Sequence, residues 1–76
     1  MKNNREIYAK MHLKETQDIF DIISNAKKSI TCKEIASRMV YSMTTQQINC
    51  LITYNLRSSL NREVINGQAH FSIKEN

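Results

Sequence analysis

The chain has 76 residues with one Gly, no Pro and two Cys, and carries a formal net charge of +4. That length allows a single domain with a small core, because so short a chain buries only about 60% of the surface it exposes when unfolded. A hydrophobic share of 41% argues against wholesale disorder, and the absence of Pro- or Gly-rich runs excludes linkers and low-complexity tracts.

Residues 1–14 are mostly polar, with Ile7, Tyr8, Met11 and Leu13 as apolar points. Ile7 and Met11 are i, i+4 neighbours, so this stretch reads as an N-terminal arm or a helical extension. The spacing predicts a helix over 15–26. Ile19, Phe20, Ile22, Ile23 and Ala26 make its apolar face, and Glu15, Asp18 and Asp21 point away. Lys27 and Lys28 follow its end, and Asn25 is expected to close the last turn in left-handed geometry. Ser29 and Ile30 then supply a very short extended segment.

Two Thr residues, thirteen positions apart, are each followed by Glu or Gln three residues later. Thr31 with Glu34 and Thr44 with Gln47 both read as capping boxes, in which the hydroxyl and the longer side chain satisfy orphan N–H groups reciprocally. Ile30 with Ile35, and Met43 with Ile48, stand where hydrophobic staples belong. The first box opens a helix over 32–39, with Ile35, Ala36 and Met39 inward. After a Gly-free turn, the second opens a helix over 45–60 whose apolar stripe is Ile48, Leu51, Ile52 and Leu56. Helix, turn and helix at this spacing predict a DNA-binding helix-turn-helix.

Asn66-Gly67 between alternating residues predicts a hairpin with a type I′ turn, since both central positions need positive φ. A two-residue loop pairs Ile65 with Gln68, Val64 with Ala69, Glu63 with His70 and Arg62 with Phe71. Val64, Ala69, Phe71 and Ile73 are expected mostly to face the helices, with Glu63 and His70 on the solvent side.

The order helix, minimal strand, helix, turn, helix, hairpin, together with the phrase Ser29-Ile30-Thr31-Cys32-Lys33-Glu34-Ile35-Ala36, resembles bacterial and phage winged helix-turn-helix regulators over Gln17 to Ile73. In that superfamily a Thr-x-x-Glu-Ile-Ala segment opens the second helix and a Thr-rich start opens the recognition helix. Small fimbrial regulators of the PapI and FaeA type are similar in size and layout. Where such domains often carry Gly after the third helix, this chain has Ser58-Ser59-Leu60-Asn61. The resemblance implies a mainly α domain with a small β-hairpin, a three-helix core plus C-terminal wing, over 15–76. It also implies a cytoplasmic transcription regulator, acting as a homodimer or with a cooperating regulator on a two-part site.

The charge distribution suits a polyanionic partner. From Ile22 to Lys74 the cations are Lys27, Lys28, Lys33, Arg38, Arg57, Arg62 and Lys74, opposed only by Glu34 and Glu63; the isoelectric point is near 9.3. On the 45–60 helix the exposed side would carry Thr45, Gln46, Asn49, Thr53 and Arg57, none of them acidic. Gln and Asn pair bidentately with adenine, and Thr meets a thymine methyl or a phosphate. Thr45, Gln46, Asn49 and Thr53 are therefore the candidate base readers. Lys28, Lys33, Arg38, Thr44 and Arg57 are the candidates for phosphate, and Arg62, Asn66, Gly67 and Gln68 for the wing, with His70 beside them. The same residues have an ordinary reading as a solvated helix face and a structural hairpin. The rival function is a winged-helix protein-interaction module that binds no DNA and uses the acidic side of the 15–26 helix and the N-terminal arm.

Other chemistries find no motif. Cys32 and Cys50 lack metal-ligand spacing and His12 and His70 add no cluster, so free thiols and no metal or cofactor are expected. No phosphate-binding Gly-rich loop or nucleophile motif is present, which predicts a non-enzyme. No secretory or membrane-spanning apolar run is present, which predicts a cytoplasmic chain without a membrane partner. Tyr41 and Tyr54 are expected to pack their rings and leave their hydroxyls wet. Met1 reads as the initiator, Met11 and Met39 as gap-fillers and Met43 as a staple.

Overall fold

The computed structural model describes residues 3–75; Met1 lies outside them. The described chain is mainly helical with a small three-stranded antiparallel sheet. No described helix is long and apolar enough to cross a membrane.

Helix α1 runs Asn4–Lys10, and its start is set by Asn3, whose side chain accepts the Glu6 N–H at 2.8 Å. Ala9 on its inner side is fully buried. Helix α2, Leu13–Asn25, begins two residues earlier than the acidic pattern suggests. Its buried side is Thr16, Ile19 and Ile23. Asn25 does not adopt the left-handed geometry expected of it: Asn66 is the one described non-Gly residue with positive φ. Instead Ala26 turns extended, at φ −74° and ψ 139°, and stops the helix, so Lys27 and Lys28 stand beyond its last turn.

Strand β1, Ile30–Thr31, pairs with the final strand, Ile30 opposite Phe71 and Thr31 opposite His70. Thr31 then caps helix α3, Cys32–Arg38, through the full reciprocal box with Glu34. One residue thus ends a strand and starts a helix, which rigidly couples the sheet to α3. Met39 is extended and ends α3. Helix α4, Thr45–Leu51, opens with the second reciprocal box, Thr44 with Gln47.

The expected single α-helix over 45–60 is broken into three windings. After α4 come a π-helical segment, Ile52–Leu56, and a 3₁₀ turn, Arg57–Ser59. The wide turn is the one whose side chains are held from outside. Asn55 Nδ2 donates to the Ala9 carbonyl at 2.8 Å and to Thr16 Oγ1 at 2.9 Å, and Asn3 Nδ2 donates to the Tyr54 hydroxyl at 3.2 Å. π turns are rare in isolation and persist where tertiary bonds favour them. The narrow 3₁₀ turn then leads directly into extended Leu60, so no Gly is needed after the helix.

Strands β2, Leu60–Ile65, and β3, Gln68–Ile73, form the hairpin in the expected register, from Ile65 opposite Gln68 to Arg62 opposite Phe71. Asn66 at φ 53° and Gly67 at φ 79° supply the two positive values of the turn. Sheet order is β1-β3-β2. Leu60 and Phe71 are buried against the helices, but Val64, on the same side of the hairpin, is 55% exposed. The hairpin outruns the helical layer, so its outer third has nothing to pack against.

Ile19, Ile30, Ile35, Ile48 and Leu51 are the largest fully buried side chains, contributed by α2, β1, α3 and α4. Burying each of these is worth about 1.5–3 kcal/mol. This core fixes α4 with its other side turned outward.

Candidate nucleic-acid interface

The start of α4 is set by two short bonds. Thr44 Oγ1 accepts the Gln47 N–H at 3.1 Å, and Gln47 Oε1 accepts the Thr44 N–H at 2.9 Å. Gln47 is therefore occupied, while the Thr44 hydroxyl keeps its proton for an outside acceptor. Thr45, Gln46, Asn49, Thr53 and Arg57 are all exposed. Among the described residues, no hydrogen bond occupies the side chains of Gln46, Asn49, Thr53 or Arg57.

Asn49, Thr53 and Arg57 recur every four residues. In a uniform α-helix that repeat swings by about 40° per step, so Arg57 would lie about 80° around from Asn49. The wider π turn between them takes up this drift, and the three line one groove together. The helix that looks irregular carries a straight polar ridge.

A groove lies on each side of this ridge. The larger, about 750 Å³, separates α4 from α1, with Arg5, Tyr8 and Tyr54 on its walls and Thr44, Gln46, Asn49 and Thr53 along the ridge side. The smaller, about 330 Å³, separates α4 from the hairpin and is lined by Arg57, Arg62, Leu60 and Phe71 together with Asn49 and Thr53. Neither groove is lined by a carboxylate. Asn49 and Thr53 border both, which makes them the crest between two basic troughs; Thr45 is exposed but borders neither.

Helix α1 is bolted to this face. Besides the bonds of Asn3 and Asn55, Cys50 Sγ donates to the Arg5 carbonyl at 3.3 Å and Lys10 Nζ donates to Asn55 Oδ1 at 3.1 Å. Tyr8 stacks on His12 with ring centroids 4.0 Å apart, and the His12 ring donates to the Tyr8 carbonyl at 2.7 Å. Burial, with smaller contributions from Glu15 and Cys50, raises the pKa of the Tyr8 phenol, which therefore stays neutral.

The remaining expected site residues lie elsewhere. Lys28, Lys33 and Arg38 are exposed but border neither groove. Lys28 and Arg38 act on Glu34, whose carboxyl is held below its ordinary value chiefly by the Thr31 backbone N–H and secondarily by the Thr31 hydroxyl and these two cations. Asn66, Gly67 and Gln68 form the exposed hairpin tip, away from the ridge. Arg62 parts from them: it points toward α4 and joins Arg57 in the smaller groove.

Tyr41 does not leave its hydroxyl to water. It donates to Asp18 Oδ2 at 2.6 Å, and Lys14 Nζ reaches the same oxygen at 2.9 Å. Asp18 is held below the usual carboxylate range by these bonds, that from Tyr41 first. Burial and the Asp18 contact push the Tyr41 phenol up to about 12. Burial also raises the Cys32 thiol, and both cysteines are unpaired. Among the described residues no group of His, Cys, Asp and Glu is placed to hold a metal ion.

Arg5, Tyr8, Tyr54 and Asn55 escape a reading by helical periodicity alone. One local signal does point to α1: Asn3 and Glu6 have the spacing of an N-cap and its N3 partner. No protein-family model matches the chain, and neither the curated proteins nor the solved structures compared with it gave a match.

Proposed function

We propose that this protein is a winged helix-turn-helix DNA-binding protein, a small prokaryotic or phage transcription regulator that places α4 in the major groove. The observation that carries the reading is the exposed, acid-free ridge of Asn49 and Thr53 standing between two arginine-walled grooves. Gln46 and Asn49, near the start of α4, offer the amide groups that read adenine. Thr44 and Arg57 serve phosphates, and Arg62 joins them from the hairpin. Lys28, Lys33 and Arg38 add long-range attraction, weakened for two of them by Glu34. A module of this size reads few base pairs, so a homodimer or a cooperating regulator completes the site.

The test is binding to random duplex DNA at two salt concentrations, followed by binding to a duplex selected from a random pool. Affinity should fall steeply with salt, because phosphate neutralisation releases counterions. The Gln46→Ala/Asn49→Ala variant should stay folded and lose preference for the selected duplex, at about 1–3 kcal/mol for each base no longer read. Equal preference in variant and parent would remove α4 as the reading helix.

A second reading, a protein-interaction module, is favoured by one observation. Met11 and Leu13, at the α1–α2 junction, are 75% and 61% exposed, and Ile7 nearby is 44% exposed. Apolar side chains grouped in this way suit a protein partner. Binding that ignores salt, with no affinity for duplex DNA, would select that reading.

A further inference from the structure

A helix lying in the major groove has a sugar-phosphate strand on each side of it. The two troughs flanking the α4 ridge have the same arrangement: one is walled by α1 and the other by the hairpin. Each wall presents arginine, Arg5 on the α1 side and Arg57 with Arg62 on the other, and neither trough holds a carboxylate. Glu6, next to Arg5 in the chain, is half-buried and does not line the trough.

The α1 wall is also rigidly placed. The Arg5 carbonyl accepts from Cys50 on α4 at 3.3 Å, and α1 is tied at its two ends by Asn3 to Tyr54 and by Ala9 to Asn55. The backbone of Arg5 therefore has a fixed offset from the ridge, while its exposed guanidinium remains open to a ligand. Guanidinium suits a phosphate oxygen pair through its planar fork of donors.

We propose that the trough between α1 and α4 receives the phosphate backbone of one DNA strand, with Arg5 as its contact, while Arg57 and Arg62 hold the opposite strand. This rests on the reading of α4 as the DNA-inserted helix. Arg5 lies on a wall and not on the crest, so it contributes affinity equally on all sequences, whereas Gln46 and Asn49 contribute preference. The α1 helix is then part of the binding face and not an appendage to it.

The experiment combines salt titration with phosphate-ethylation interference on a duplex selected by the parent protein. For the parent, interference should fall on both strands. Arg5→Ala should lower affinity by the same factor on selected and random duplex, reduce the salt slope by about 0.9, and erase interference on one strand. Arg62→Ala should do the same on the other strand, and Arg5→Lys should restore the slope. Thermal unfolding separates binding from folding, since Arg5→Ala keeps the carbonyl that Cys50 uses. If Arg5→Ala leaves slope and both interference clusters intact while Gln46→Ala/Asn49→Ala still loses preference, the α1 trough is not a phosphate site and the α4 reading survives. Arg5 and Arg62 effects on the same strand would also overturn the proposal. Absence of salt-dependent duplex binding by the parent would overturn both readings together.

Discussion

The α2–α3 flank and the α4 flank use similar side chains to opposite ends. On the α2–α3 flank the cations have carboxylate partners: Lys14 binds Asp18, and Lys28 and Arg38 act on Glu34. On the α4 flank Arg5, Arg57 and Arg62 line grooves that contain no carboxylate. A formal charge of +4 therefore says little about where a polyanion would sit. What distinguishes the two flanks is the placement of the acids. Paired cations mostly support the chain's own conformation, and unpaired ones keep their donors for something else.

The largest expected effect tests whether the α4 flank is as firmly built as the other. Asn55→Ala removes the donor serving the Ala9 carbonyl and Thr16, and should cost about 1–3 kcal/mol. Thermal unfolding should show it as a loss of about 4–8 °C per kcal/mol for a domain of this size. An unchanged midpoint would mean that α1 does not depend on Asn55.

Next come the two caps, which are chemically alike and sit on different flanks. Thr31→Ala and Thr44→Ala should each destabilise by about 0.5–2 kcal/mol. The buried Thr31 should fall at the upper end, because its hydroxyl also donates to Glu34 at 3.3 Å. Only Thr44→Ala should in addition weaken duplex DNA binding once compared at equal folded fraction. Equal loss of DNA binding in both variants would erase the distinction between the flanks.

A smaller effect separates free from engaged cations. Arg62→Ala should reduce the salt slope by about 0.9, the contribution of one phosphate contact, whereas Arg38→Ala should reduce it by less. The reverse ranking, measured by fluorescence anisotropy across a salt series, would move the interface to α3.

The smallest effect is the pH dependence of stability. Asp18 and Glu34 are both held below their ordinary pKa values in the folded chain, so around pH 4 the unfolded chain binds more protons. Stability should therefore rise with pH there; it is complete above the ordinary carboxylate range and lost as pH falls through the lowered values. Tyr41 behaves oppositely: its phenol is held up at about 12, so its contribution is present below pH 10 and is lost as pH rises from there through about 12. Tyr41→Phe should flatten both limbs, as seen in denaturation midpoints against pH, because it removes the phenol and the strongest bond to Asp18. Unaltered limbs would show that this cluster is decorative.

Much of the fold is legible in the residues themselves, where local chemistry decides geometry. Asn66-Gly67 leaves few ways to close a two-residue loop, and the hairpin register follows from it. The Thr31 and Thr44 boxes mark helix starts because orphan N–H groups need partners. The outward set on α4 follows from helical periodicity once Ile48, Leu51, Ile52 and Leu56 are assigned inward.

What is not legible depends on distant residues. Nothing local in Ile52–Leu56 announces a π turn; it depends on Asn55 meeting Ala9 and Thr16, about forty residues away in the chain. The same holds for the larger groove, which exists only because α1 packs beside α4. Asn25 errs in the other direction: its tolerance for positive φ is real, but an extended Ala26 ends the helix without using it.

The π segment also makes this protein sensitive to length as well as to side-chain chemistry. Removing one residue from Ile52–Leu56 would restore ordinary α winding and rotate the 3₁₀ turn and hairpin by about 100° relative to α4. Arg57 would leave its groove, and the hairpin would set out from the wrong side of the helix. Substitutions along this segment can be repaired by neighbours, but a missing residue cannot. At this one place the chain counts its residues.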